Sequence, residues 1–260
     1  MTTAPVIEFI DVSYDYANIS GRPLHTVHNM SLAVKEGEFV SLVGPSGSGK
    51  TTILNLLFGL LSPTEGRVIR HLPPHSNGQA QVGYMPARDA LFPWRTVTRN
   101  IELGLELLRV PNRSRAPRIA ELIESVGLVG HERSYPAQLS TGMRQRVAIA
   151  RTFAPQPRLF LMDEPFSALD GLTRIRMQDL FLQLWDATGA TAIQVTHDIG
   201  EALRLSDRVI VVSSRPAQII EELVVPFGRP RDAYSLLESE EFHHMQARIL
   251  SLLEHDMGNQ

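Results

Sequence analysis

Cysteine is absent from this 260-residue sequence, which excludes a disulfide framework, Cys-ligated zinc and iron–sulfur clusters. No segment approaches the roughly 18 uninterrupted apolar residues that span a bilayer, so any service to a membrane is that of a peripheral subunit. The opening MTTAPVIEFIDVSYDY lacks a basic start followed by an apolar stretch, and no secretory signal is read from it. Neither sign of charge dominates: 25 Lys and Arg stand against 28 Asp and Glu, a net −3. That balance provides no footprint for a polyanion, so nucleic acid is not an expected partner. No internal repeat is evident either.

What is present is an ordinary globular composition, 43% apolar and 20% charged, enough chain for one large domain or a domain with an insertion. Strand patterns fall at 6–10, 30–43, 82–85, 159–162, 192–195, 209–212 and 218–223, with a polar, turn-rich loop at 72–81. Between Thr96 and Phe153 the periodicity is helical, punctuated by Pro111 and Pro117, with Ile119, Leu122, Ile123 and Val126 on one face. Strands alternating with helices predict an α/β fold with a mostly parallel sheet, and the helical block predicts an inserted subdomain. From Arg229 onward, Leu236, Phe242, Met245, Ile249, Leu252 and Leu253 recur at helical spacing. This tail is expected to pack on its own domain.

The strongest local signal is GPSGSGKT at 44–51, which fits G-x-x-x-x-G-K-[ST]. It follows the apolar run Phe39, Val40, Leu42, Val43 and precedes the helical pattern of Ile53, Leu54, Leu57, Leu60 and Leu61. Glycines 44, 47 and 49 let the backbone curl its N–H groups toward phosphate oxygens. The following helix offers its positive end to the same anion. Lys50 is placed to reach the β- and γ-phosphates and Thr51 to ligate Mg²⁺. The pattern implies a nucleoside triphosphate site.

Asp163 and Glu164 end the apolar run LFLMDE. An acidic pair can simply cap a strand. In a parallel sheet, however, strand C-termini line the ligand crevice, where one carboxylate can hold Mg²⁺ and its neighbour can orient the attacking water. His197 follows another apolar strand, AIQVT, and can contact a γ-phosphate or hold that water. Ser140, before Thr141, Gly142 and a helix-competent run, reads as an N-cap and a second anion-binding helix end. Two such ends in one chain suggest copies that face each other, each loop closed by the partner's cap.

With these motifs in place, nearly the whole chain resembles the ATPase subunit of an ATP-binding cassette (ABC) transporter. The family's Walker A matches GPSGSGKT, and its Walker B and catalytic glutamate match 159–164. SALD at 167–170 matches the D-loop, His197 the H-loop, and LSTGM at 139–143 is similar to the LSGGQ signature. Tyr16 falls where the family stacks an aromatic on adenine. ALFPWRTVTRNI (90–101), the MRQRVAIART run and the RPRD before the tail resemble importer ATPases of the nitrate, sulfonate and taurine group.

The resemblance implies a P-loop core with an N-terminal antiparallel β part, made of 1–86 and 155–228, a helical subdomain at about 87–154 and a tail at 229–260. It implies ATP and Mg²⁺ as ligands, with Glu164 and His197 catalytic and Thr51 and Asp163 on the metal. Nucleotide contacts are implied for Tyr16, Gly44, Pro45, Ser46, Gly47, Ser48, Gly49, Lys50, Thr51, Thr52, Ser140, Gly142 and Asp170. It also implies a homodimer, or a pair with a related ATPase, on the cytoplasmic face of the membrane. The partners would be permease subunits and, indirectly, an extracytoplasmic solute-binding protein. Phe92 and Trp94 would either help to form the permease socket or serve the core.

Two positions depart from the pattern. Thr141 replaces the first glycine of the signature, and Ala87 stands where the Q-loop glutamine is expected. Alanine supplies neither donor nor acceptor; Gln79 and Gln81 lie at the wrong end of the strand, and Asp89 is expected to reach the metal shell through water. The alternative reading is an ATP-dependent assembly or regulatory module of low turnover. A GTPase would need N-K-x-D, which the chain lacks.

Overall fold

A computed structural model describes residues 5–17, 23–72 and 80–258. In chain order the elements are β1 (Pro5–Tyr16), β2 (Leu24–Lys35), β3 (Phe39–Val43), α1 (Lys50–Phe58), β4 (Glu65–Arg70) and β5 (Val82–Met85). Helices α2 (Val97–Ile101), α3 (Leu103–Leu107), α4 (Asn112–Ser125) and α5 (Thr141–Phe153) follow, then β6 (Leu159–Asp163) and α6 (Gly171–Asp186). The chain continues through β7 (Thr191–Thr196), α7 (Ile199–Leu205), β8 (Arg208–Val212), β9 (Ile219–Val224), α8 (Ala233–Leu237) and α9 (Glu240–Gly258). Contacts gather the described residues into two compact units, one from 1–71 and 191–260, the other from 72–190.

In the first unit β3 lies between β7 and β8, parallel to both, and β9 runs antiparallel to β8. All five residues of β3 and all six of β7 are buried, which explains why both read as continuous apolar runs rather than alternating ones. A separate antiparallel sheet has the order β2-β1-β4. The tail lies on this unit, as expected. Phe242, Ile249 and Leu253 of α9 join Ala202 and Leu203 of α7, Val209 and Val211 of β8, and Leu223 of β9 in one cluster. Arg231, 7% exposed, donates to the carbonyls of Leu203 and Arg204 at 3.0 and 3.2 Å and to that of Ser206. It thereby caps the C-terminus of α7 with a buried cation.

In the second unit β5 and β6 pair in parallel, Gly83 beside Phe160. Helix α5 buries Val147, Ala148, Ile149, Ala150 and Phe153. Phe153 stacks at 4.5 Å from Phe160 and 5.3 Å from Phe181, a contact of strand and two helices that centres this core.

Some local readings change. The expected strand at 30–43 is two strands, separated where Glu38 N–H donates to the Lys35 carbonyl and the Glu38 carboxylate accepts from Lys35 N–H. Pro117 does not end a helix but sits inside α4, with Pro111 at its N-cap position. The antiparallel strands at 24–29 and 65–70 carry several exposed polar residues, which hides them from an apolar-run reading. Most of the predicted polar loop, 73–79 with Gln79, lies outside the described residues.

Candidate functional site

The phosphate loop joins the C-terminus of β3 to α1. Gly44 abuts β8: a Cβ there would lie 2.6 Å from Val212 Cγ2 and 2.8 Å from its carbonyl oxygen. Gly47 and Gly49 hold φ of +79° and +110°, the left-handed region that side chains rarely tolerate. Space beside Gly47 is open, whereas Gly49 backs onto the Thr26 carbonyl. Lys50 is 5% exposed, and its Nζ donates to the carbonyls of Gly44 and Pro45 at 2.8 and 2.7 Å. Ser48 Oγ is buried with no hydrogen-bond partner among the described residues. A curled backbone around a buried ammonium, with an orphaned hydroxyl beside it, fits a phosphate chain. Pro45 and Ser46 form the outer lip, and the Thr51 side chain lies at the surface.

Tyr16 ends β1, 38% exposed. Its hydroxyl shares a hydrogen bond with Thr52 Oγ1 at 3.3 Å, and Tyr14 meets its ring edge-on at 4.9 Å. An aromatic face is thus fixed beside the first turn of α1. In the same unit Val43 and Thr196 are register partners in the parallel pair β3–β7, so His197 leaves the sheet at the end where the loop begins. Asp198 then caps α7, accepting from Glu201 N–H at 2.9 Å. Loop, Tyr16, Thr52 and His197 are therefore held by one unit.

The second unit holds the carboxylates. Asp163 closes β6, and Tyr84 Oη on β5 donates to its Oδ2 at 3.5 Å. Burial first, then the charge of Asp163, pushes the Tyr84 phenol up to about 12. Glu164 has φ +46°, costly for a residue with a side chain. Its carbonyl accepts from both the N–H and the hydroxyl of Ser167, at 3.2 and 2.9 Å, while Gln145 Nε2 donates to the Pro165 carbonyl at 2.7 Å. These bonds hold the turn that carries Glu164. Among the described residues no cluster of three or more His, Cys, Asp or Glu could bind a metal by itself. Mg²⁺ bound through one carboxylate and substrate phosphates requires none.

Ser140 caps α5, its Oγ accepting from Met143 N–H at 3.2 Å, as its sequence position predicts. A Cβ on Gly142 would lie 3.5 Å from Thr173 of α6. Asp170 caps α6, accepting from Thr173 N–H at 3.1 Å, and that backbone bond holds its carboxyl below the usual range. Asp89, expected near the metal shell, instead pairs with Arg144 of α5 at 2.9 Å. Its carboxylate is engaged by a guanidinium two residues beyond Gly142. Phe92 and Trp94 stack at 5.3 Å, and Trp94 is 71% exposed. Sequence reasoning missed Tyr84 and Arg144. Tyr84 had a signal in its place on a strand bordering LFLMD, and Arg144 in its position one turn into the capped helix.

No helix among the described residues is long and apolar enough to cross a membrane. A family model described as ABC transporter matches residues 27–167. An uncharacterized ABC transporter ATP-binding protein of Methanocaldococcus jannaschii is 42% identical over 238 residues, spanning 92% of this chain and 88% of the relative. A taurine import ATP-binding protein of Yersinia pestis is 41% identical over 85% of this chain and 86% of its own. A nitrate import ATP-binding protein of Synechococcus elongatus is 40% identical over 87% of this chain and 35% of its own. Among solved structures, a dimeric, post-hydrolysis ATP-binding cassette bound to ADP and Pi superposes with a TM-score of 0.72 at 32% identity, covering 85% of this chain and all of the other.

Proposed function

The chain belongs to the ABC transporter ATP-binding family and is an ATPase of importer type, and from that premise we propose that two copies close around two ATP molecules to drive uptake of a small solute of the taurine, sulfonate or nitrate kind. The observation that carries this reading is the phosphate loop: a buried Lys50, left-handed Gly47 and Gly49 and the unpaired Ser48 hydroxyl, with Tyr16 fixed at its flank. Relatives that import taurine or nitrate support the solute class, and a dimeric cassette holding ADP and Pi supports the pair.

The ATPase domain covers 1–228, with the helical subdomain at about 87–154. In its cycle, the loop at 44–51 and Thr52 hold the phosphates and Tyr16 stacks on the base. Asp163 and Thr51 would hold Mg²⁺, which would supply neutralisation of the phosphate charge. Glu164 orients or deprotonates the attacking water, and His197 steadies the γ-phosphate. Ser140, Gly142 and Asp170 engage the nucleotide held by the other copy. Chemistry of this kind rests on positioning and charge stabilisation rather than on covalent steps by the protein. The exposed Trp94 and Phe92 meet a separate membrane permease, served by an extracytoplasmic binding protein, so the chain works peripherally on the cytoplasmic side.

Replacing Glu164 with Gln removes the base and leaves binding intact, so the variant should accumulate as an ATP-bound dimer in sedimentation velocity. A variant that stays monomeric under saturating ATP counts against the sandwich. Ala87 supports a second reading, an assembly module of low turnover, because it brings no amide to the metal shell. Steady-state phosphate release with and without the permease separates the two.

A further inference from the structure

Thr141 is the position at which this chain breaks its signature pattern, and its hydroxyl is not idle. Arg144, one turn along α5, donates from a terminal nitrogen to Thr141 Oγ1 at 3.1 Å and from the other to the Leu139 carbonyl at 2.9 Å. Leu139 and Thr141 flank Ser140, so a single guanidinium grips the chain on both sides of the cap. The third nitrogen, Nε, donates to Asp89 Oδ2 at 2.9 Å. Arg151, two turns further along α5, donates to the carbonyls of Asp89 and Ala90 at 2.7 Å each. Ala90 holds φ +45°, so the segment that follows Ala87 is a strained turn bound at three atoms to the signature helix. Glycine at 141 would leave one guanidinium nitrogen without this acceptor.

We propose that Thr141, together with Asp89 acting through Arg144, is a positioning residue that presets Ser140 for the ATP held by the partner copy. The two departures of this chain are then related. Where Ala87 provides no amide, the segment after it is tied mechanically to the signature helix, and Thr141 completes the tie. The inference rests on the paired-copy reading above. Arg144 and Asp89 keep 31% and 29% of their side-chain surface exposed, so the ion pair is screened by salt and its contribution is modest.

The test uses the full chain carrying Glu164→Gln and measures two constants: ATP binding to the monomer, and ATP-dependent dimerisation by sedimentation equilibrium. Thr141→Ala and Asp89→Ala should each weaken dimerisation by about 3–10-fold. Monomer binding should stay within about twofold, since both residues belong to the unit that does not carry the phosphate loop. Thr141→Ser, which keeps the hydroxyl, should restore the parent value, and the double variant should be no weaker than the weaker single, as expected for one shared network. In 1 M salt the Asp89→Ala effect should shrink. A Thr141→Ser variant as weak as Thr141→Ala, or a Thr141→Ala variant equal to the parent, overturns the assignment. A parent that binds ATP and never dimerises overturns the paired-copy reading and this inference with it.

Discussion

Tyr84 Oη donates to Asp163 Oδ2 across a parallel strand pair in which Tyr84 stands beside Leu161 and Met85 beside Met162. The phenol fixes a carboxylate whose proposed task is to hold Mg²⁺, and partners of metal ligands of this kind matter nearly as much as the ligands. Tyr84→Phe should raise the Mg²⁺ concentration needed for half-maximal ATPase activity by about tenfold, with little change at saturating Mg²⁺. The same residue gives a pH signature. Its folded pKa, about 12, lies above the ordinary 10, so its contribution to stability is complete below pH 10 and is lost as pH rises through 12. Urea melts of Tyr84→Phe should show a flatter alkaline limb than the parent; identical limbs would remove Tyr84 from the account.

Tyr84 also marks where sequence reading runs out. GPSGSGKT, LFLMDE and AIQVTH announce themselves because each contains or follows a run of at least four buried strand residues, so the apolar run and the chemistry are adjacent in the chain. The cap at Ser140 was equally plain, a hydroxyl residue before a helical pattern. Tyr84 and Arg144 act through atoms 79 and 55 residues away in sequence, and no local pattern encodes a partner at that distance. The break between β2 and β3 was missed for a related reason: its turn, closed by the Glu38 carboxylate, has a single glycine, Gly37 at φ +74°, as its sequence signal, with no Pro or Asn-Gly beside it. Asp89 shows a different limit: its nearness to Ala87 in sequence suggests the metal shell, and its pairing with Arg144 is legible only in the fold.

The phosphate loop uses its glycines for different reasons, and substitution should separate them. Gly44 lacks room, with Val212 2.6 Å from a Cβ, and a β-strand end cannot shift without disturbing the β3–β8 pair. Gly47 has room but a left-handed backbone. Gly47→Ala should cost about 1 kcal/mol and leave measurable ATP binding. Gly44→Ala should cost about 1–3 kcal/mol through overpacking and displace the loop, with a larger loss of nucleotide affinity. Chemical denaturation and calorimetric titration with ATP read both, and equal behaviour of the two would contradict the distinction.

Arg231 ties the tail to α7, the helix that follows His197. Its guanidinium serves the carbonyls that end α7, the helix that Asp198 begins, and Nε donates to the Phe227 carbonyl at 3.0 Å. Methionine would fill similar volume but leave several buried carbonyls unpaired, at about 2–4 kcal/mol. Lysine cannot reproduce the planar fork and should recover little of this. Urea melts at pH 7 should show both variants with lowered midpoints and unchanged slopes. A neutral Arg231→Met would mean that α9 packing alone secures the tail.

The ring of Tyr16 is anchored twice, by the Thr52 hydroxyl at 3.3 Å and by the edge of Tyr14 at 4.9 Å, yet 38% of the residue is left open. An anchored, half-open aromatic at the end of β1 suits a base that stacks from solvent, and stacking distinguishes purines poorly because every base presents a π-face. Tyr16→Ala should therefore weaken ATP and GTP alike, by about tenfold, the lower end of what base–aromatic stacking supplies. Tyr16→Phe keeps the face and loses one part-buried hydrogen bond, so its affinity for either nucleotide should fall by no more than about threefold. Titrating both nucleotides against both variants tests this directly. A Tyr16→Ala chain that lost ATP affinity while retaining that for GTP would show that the base is read by hydrogen bonds elsewhere, and the stacking role would be withdrawn.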